Sequence, residues 1–163
     1  RVVSEKGSEM KTATFLITLS FFLSVSCTSN AGLGEPPSIF YGEDVCDECG
    51  MIISDRRFAS GYTTKQGISR KFDDIGGMSV FLKKYPEEVY AIWVHDYGDQ
   101  NWIKADEAYF VVPGNIVTPM GHGLIAYSDR QEAKQTASRF GVEVLSLEKV
   151  LKVVETHPLL HKH

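Results

Sequence analysis

Short β-forming runs, broken by two capped helical stretches, constrain this chain more than any other feature. Phe58-Ala-Ser-Gly-Tyr-Thr-Thr64 and Ser69-Arg-Lys-Phe-Asp73 read as strands joined by Lys65-Gln-Gly67. Asp74-Ile-Gly-Gly-Met-Ser-Val-Phe-Leu-Lys-Lys-Tyr85 follows as a helix, stopped by Pro86. Val89-Tyr-Ala-Ile-Trp-Val-His95 is a third strand, rich in β-branched and aromatic residues. A second stretch has the same order of elements. Trp102–Lys104, Ala108–Val112 and Gly123–Tyr127 read as strands. Asp129 then opens a helix, with Glu132 placed for a capping box, and Gly141 ends it after Phe140. Val142–Ser146 is the last expected strand and Leu147–Val154 a terminal helix. Strand runs interrupted by single helices argue an α+β fold. The expected architecture is two pseudo-repeated ββαβ halves packed together, plus a short C-terminal helix. Neither half is large enough for its own generous core, so each needs the other.

The N-terminal part reads differently. Met10-Lys11 gives a basic start, and Thr12–Leu23 is a mostly apolar run followed by Ser24-Val-Ser-Cys27. That is the layout of a secretory signal, with residues 1–9 as an upstream extension. The run is short of the ~20 apolar residues that a helix needs to span a bilayer. Small residues ending on Cys27 resemble a bacterial lipobox, in which the Cys is acylated. The alternative is an ordinary cleaved signal that leaves Cys27 as a spare thiol. Residues 27–44 are rich in Gly, Pro and small polar residues and read as a flexible tether. The folded domain is expected over 45–155, with a His-containing tail at 156–163. The expected location is a bacterial membrane, with the lipid-anchored domain facing the periplasm.

Charge narrows the partners. The chain carries 17 Lys+Arg against 21 Asp+Glu, and residues 1–26 hold more basic than acidic residues. The remainder is therefore more acidic still. No basic run or aromatic–basic interleaving is present, so nucleic acid is not an expected partner.

Cys46-Asp-Glu-Cys-Gly-Met51 places two thiols and a thioether within six residues. The whole chain has only 3 Cys and 4 Met, so this cluster is not background. Thiolate and thioether are soft donors and together favour Cu(I). A disulfide between Cys46 and Cys49 would close too small a loop to add much stability. Asp47 and Glu48, lying between the thiols, are expected to raise the thiol pKa values. A second soft residue lies in Thr118-Pro-Met-Gly-His-Gly123, where Pro119 and Gly121 bracket Met120 in a turn. Met120 reads either as core filler or as a soft ligand facing the first loop. His122 is an additional candidate ligand, and hydrogen bonding is its alternative role. Phe72-Asp-Asp74 invites an acidic-site reading, but the favoured one is that Asp73 or Asp74 caps the helix that begins at Ile75; Met78 is expected to lie in the core.

The ordered set Cys46-x-x-Cys-Gly-Met51, Phe72-Asp-Asp-Ile-Gly-Gly-Met78, Val94–Asp96, Trp102-x-x-Ala105, Ala108-x-Phe-Val111 and Thr118-Pro-Met-Gly-x-Gly123 resembles the NosL family. These are lipoproteins accessory to nitrous oxide reductase. The resemblance covers about residues 45–155. It implies two ββαβ halves and a Cu(I)-binding chaperone rather than an enzyme. It implies Cu(I) ligation by Cys49, Met51 and Met120, with Cys46 a less secure ligand. It also implies nitrous oxide reductase and an ABC-type copper-site assembly complex as partners, with the membrane engaged through lipid on Cys27. The rival class is an exported C-x-x-C thiol–disulfide oxidoreductase. Against it, the element order lacks the alternating βαβ of thioredoxin-like folds.

Overall fold

The computed structural model describes Gly32 and residues 34–153. The signal, Cys27 and the His-containing tail lie outside the described residues. Strands β1 (Ser60–Thr64), β2 (Ser69–Phe72), β3 (Val89–His95) and β4 (Trp102–Lys104) form one antiparallel sheet in the order β2-β1-β3-β4. Strands β5 (Tyr109–Val111) and β6 (Ile125–Tyr127) form a second, two-stranded antiparallel sheet. The helices are α1 (Ile75–Lys84), α2 (Arg130–Phe140) and α3 (Leu147–Val153). Among the described residues no helix is long and apolar enough to cross a membrane.

The mixed fold class is as expected, but the two halves are not equal sheets. β4 was assigned to the second half and instead pairs with β3 in the first sheet, with His95 opposite Trp102. The strand expected at Val142–Ser146 is reduced to a single bridge, Leu145 to Phe110. Its physical reason is the side-chain pattern: Val142 and Glu143 face solvent and only Leu145 is fully buried, so one residue pays for one pair of hydrogen bonds.

Burial explains the elements. All five residues of β1, one of the two inner strands of the sheet, are buried. α1 buries Ile75, Met78 and Phe81 against Tyr62, Phe72 and Val94 in the main core. α2 is largely polar and buries only Ala133 and Ala137, four residues apart on one face. These alanines pack with Phe58, Val111, Ile125 and Tyr127 in a second cluster. Asp129 accepts from the backbone N–H groups of Gln131 and Glu132, and Gly141 ends α2 with φ 66°.

Asp96 joins the two sheets. Its Oδ2 accepts from the Ser128 N–H at 2.7 Å and the Ser128 hydroxyl at 2.8 Å. Its Oδ1 accepts from Gly98 and Asp99 backbone. Burial works to raise its pKa, but these donors outweigh burial and hold it below the usual range.

The tether ends earlier than expected, because residues 37–44 pack on the domain. Pro37 is buried against Gly61, where any Cβ would lie 2.5 Å from the proline ring. Asp44 accepts from the Phe40 N–H and pairs with Lys71 at 2.8 Å. Ile39 and Tyr41 pack on the core.

Tyr41 also reaches a buried histidine. His95 Nδ1 is 2.7 Å from the carbonyl of Gln100, so Nδ1 carries the hydrogen. Nε2 then accepts from the Tyr41 hydroxyl at 2.6 Å, and the ring stacks on Trp102. The neutral imidazole satisfies both partners. Burial is the main reason that its pKa is pushed down to about 4. The unfolded chain binds this proton near pH 6.5 and the folded one only near pH 4. The contribution is therefore present above pH 6.5 and lost as pH falls through about 4. We expect up to about 3 kcal/mol of acid destabilisation over that window from this residue. Urea unfolding of the wild type and His95→Gln between pH 7 and 4 checks it; equal slopes in the two proteins would refute it.

Candidate metal centre

The first loop is a hairpin. Val45 bridges Ile52, the Cys46 N–H donates to the Met51 carbonyl at 2.8 Å, and the Gly50 N–H donates to the Cys46 carbonyl. Gly50 has φ 73°, a left-handed conformation that suits glycine. The hairpin is fastened at two acidic side chains. Asp47 accepts from the Lys71 N–H at 2.7 Å and pairs with Arg70, while its own N–H donates to the Lys71 carbonyl. Glu48 pairs with Lys84 at the end of α1.

This fastening presents both thiols inward. Cys46 is buried and Cys49 partly so, and both are free thiols. Cys49 Sγ donates to Asp73 Oδ2 at 3.5 Å. Sγ of Cys46, Sγ of Cys49 and a carboxylate oxygen of Asp73 all lie within 4.8 Å of one another. Met51, by contrast, is 48% exposed.

The Cys46 thiol is pushed up to about 12, as expected in direction but not in cause. Burial dominates, and the Asp73 side chain adds to it. Backbone N–H groups of Cys49, Asp73 and Glu48 pull the other way. The carboxylates of Asp47 and Glu48, expected to raise it, are instead paired with Arg70 and Lys84 and are not among the causes of the shift.

The second loop is anchored to the start of α1. Asp74 is the N-cap, accepting from Gly76 N–H at 2.7 Å and Gly77 N–H at 3.3 Å. Its other oxygen accepts from the Thr118 hydroxyl and from the Met120 N–H at 3.1 Å. Thr118 Oγ1 in turn accepts from the Gly123 N–H at 3.0 Å. The Gly121 N–H closes a turn onto the Thr118 carbonyl, with φ 75° at Gly121. One carboxylate thus caps the helix and holds the loop.

Gly76 and Gly77 make room for that loop. A Cβ at Gly77 would lie 2.3 Å from Met120 Sδ, and one at Gly76 would lie 2.3 Å from Cγ of His122. The Met120 thioether therefore lies on the first turn of α1, partly buried against the core. His122 is 6% exposed, and its Nδ1 is buried without a partner. The structure brings both loops to the N-terminus of α1. It places Cys46 and Cys49 on Asp73, and Met120 and His122 on the adjoining glycines.

For the Asp73-Asp74 pair the sequence favours helix capping over an acidic site. A helix has one N-cap, and Asp74 takes it, so Asp73, the first acid of the pair, is free for another role. That doublet was the available signal.

A small α+β domain is thus defined, with a thiol hairpin and a methionine loop anchored on the residues that open α1. The family described as NosL matches residues 37–154. The chain belongs to the NosL family. It is 29% identical over 124 residues to a protein of Stutzerimonas stutzeri named copper-binding lipoprotein NosL. That match covers 70% of this chain and 65% of the relative, so this chain spans just under two thirds of the relative's length. The fold is similar to the crystal structure of the copper chaperone NosL from Shewanella denitrificans. The TM-score is 0.59 and the identity 22%, covering 71% of this chain and 94% of that one.

Proposed function

We propose that this chain is a Cu(I)-binding chaperone that passes copper to the assembly of nitrous oxide reductase copper centres. One observation carries the reading: a thiol hairpin and a methionine loop, distant in sequence, each contact the residues that open α1, Asp73 for the hairpin and Asp74 and Gly77 for the loop. Their donors are of the type that Cu(I) prefers. The names of the two relatives, a copper-binding lipoprotein and a copper chaperone, support it. In this reading Cys49 anchors the ion as thiolate, and Met51 and Met120 supply neutral thioethers. Cys46 and His122 are further candidate ligands. Lipid on Cys27 tethers the domain to a bacterial membrane facing the periplasm. The recipients are the reductase itself or an ABC-type copper-site assembly complex.

The mechanism is binding and transfer. Few ligands and an exposed Met51 leave a side on which a partner's Cys, Met or His can share the ion before taking it. Affinity rises with pH, because thiols must lose protons to bind metal. A redox role for the pair fits the site less well. Such a cysteine needs a stabilised thiolate, which a nearby helix N-terminus alone does not secure. Here the first thiol is buried in a hairpin and its pKa is raised, not lowered.

The test is competition. The reduced domain is expected to bind one Cu(I) and to release Zn(II) when both compete. Titration against a Cu(I) chelator, with zinc followed by a metal indicator, measures this. Zinc retained in the face of equimolar Cu(I) would overturn the reading.

A further inference from the structure

We propose that Phe40, Val45 and Ile52 form a lipid-docking face, by which the tethered domain lies on the bilayer that its anchor enters. The proposal rests on the reading of Cys27 as the lipidated residue, and not on copper binding.

The hairpin that carries the thiols has two faces. Val45 and Ile52 are directly opposed across it. Their chain neighbours Cys46 and Ile53 turn inward and are buried. Val45 and Ile52 therefore point out, and they are 54% and 56% exposed. Phe40, 62% exposed, belongs to the same surface. The Asp44 N–H donates to the Phe40 carbonyl at 2.8 Å, and the Phe40 N–H donates to the Asp44 carboxylate at 2.7 Å. Phe40 thus opens the tight turn that leads directly into Val45. Exposed apolar side chains grouped in this way, rather than scattered, mark a contact surface.

The contact is apolar in kind. Lys71 lies over the Phe40 ring, with Nζ 5.9 Å from its centre, but its charge is taken up by Asp44 at 2.8 Å. Glu43, in the same turn, is exposed. The face therefore offers no free cation to anionic headgroups.

The point where the chain joins the domain chooses the occupant. Pro37 packs into the notch at Gly61, beside the Arg70 carbonyl of β2. Phe40 comes three residues later and meets Lys71 of that strand. Cys27 precedes Pro37 by ten residues. A segment of that length spans at most about 36 Å even when fully extended. The bilayer is then never far from this side of the domain. A contact between surfaces held so close is intramolecular, and it forms even where the free domain would bind lipid weakly. A soluble partner has no such advantage. Cys49 and Met51 are on the same hairpin, so docking holds the candidate metal centre at the lipid surface.

Brominated phosphatidylcholine is the probe, because bromine on the acyl chains quenches tryptophan only at close approach to the hydrocarbon. The full lipidated chain, reduced and free of copper, is placed in vesicles of brominated or ordinary phosphatidylcholine. It carries either Ile52→Trp or Gln135→Trp. Gln135 is exposed on α2, whose buried face packs in the second cluster. Trp93 and Trp102 give a background common to all the proteins. The Ile52→Trp protein is expected to lose more emission in brominated vesicles than the wild type, and the Gln135→Trp protein to match the wild type. Adding Phe40→Ser and Val45→Ser to Ile52→Trp is expected to remove most of that extra loss without lowering the melting temperature. Equal quenching at the two positions, or none beyond background at Ile52→Trp, would overturn the proposal. So would quenching that persists in full in the folded triple variant. An Ile52→Trp protein shielded from aqueous iodide yet not quenched by bromine would also overturn it, since protein, such as a second copy, would then cover the face. The mass of the mature chain shows whether Cys27 carries lipid. Without lipid the anchor reading fails and this proposal with it, whereas lipid without quenching overturns only the docking face.

Discussion

Met120→Ala is expected to lower Cu(I) affinity by about 1–3 orders of magnitude while the fold survives. Each tenfold is about 1.4 kcal/mol, and the change removes one donor from a site of few ligands. The loop itself is held by Asp74 through the Thr118 hydroxyl and the Met120 backbone, neither of which the substitution touches. Met78→Ala should give the opposite pattern. Met78 is fully buried in the main core, so its loss is expected to cost about 2–5 kcal/mol of stability with little change in copper affinity. Gly77→Ala supplies a third arm. Its new Cβ would overlap Met120 Sδ, the far end of a flexible side chain, so the thioether moves and the backbone need not. The helix gains up to about 1 kcal/mol from losing a glycine. Affinity should therefore fall while apo stability holds or rises. Thermal melts and Cu(I) titrations on the three variants check all of this. A Met120→Ala protein with a much lower melting temperature and wild-type affinity would make Met120 a core residue.

Cys49→Ser is expected to be more severe, with Cu(I) affinity falling by more than about 3 orders of magnitude. Cys49 is the thiol that faces both Asp73 and the solvent side of the site, where an arriving ion meets it. Cys46→Ser should leave measurable Cu(I) binding, because its thiol is buried and held protonated by that burial. The pair of variants also separates a carrier from a disulfide exchanger. An exchanger needs both thiols for a full cycle. Insulin reduction by the wild type should be slight. Robust turnover, abolished by either substitution, would replace the copper reading with the redox one.

Much of the first half was legible before any coordinates. Pro86, the β-branched run at Val89–His95 and the Asp-Ile-Gly-Gly start of α1 each carry strong local signals. The caps at Asp129 and Gly141 were equally readable, because capping is a short-range hydrogen-bond problem. The misassignments are long-range. Nothing local says whether Trp102–Lys104 pairs with Val89–His95 or with a later strand, and the pairing of His95 with Trp102 decides it. The Gly/Pro content of residues 27–44 reads as tether, yet Pro37 packs because Gly61, far along the chain, leaves a notch for it. At the site, the soft residues announced themselves by type. Asp73 did not, because an acid next to a helix start has an ordinary explanation, and only folding shows that its neighbour has taken that role.

The two loops differ in how far apart along the chain their parts lie. Cys46 and Cys49 are neighbours in sequence, so a denatured chain keeps them within reach of one ion. Met120 is brought near them by the fold, its backbone held by Asp74, 46 residues away. In the proposed site, half of the grip on copper therefore outlasts unfolding. An ion bound by both states stabilises the native one only by the ratio of the two affinities. Copper should raise the melting temperature of this domain by less than its affinity would suggest. What the fold adds to a bare pair of thiols, as a competitor for the ion, is then set by how firmly one aspartate holds the second loop.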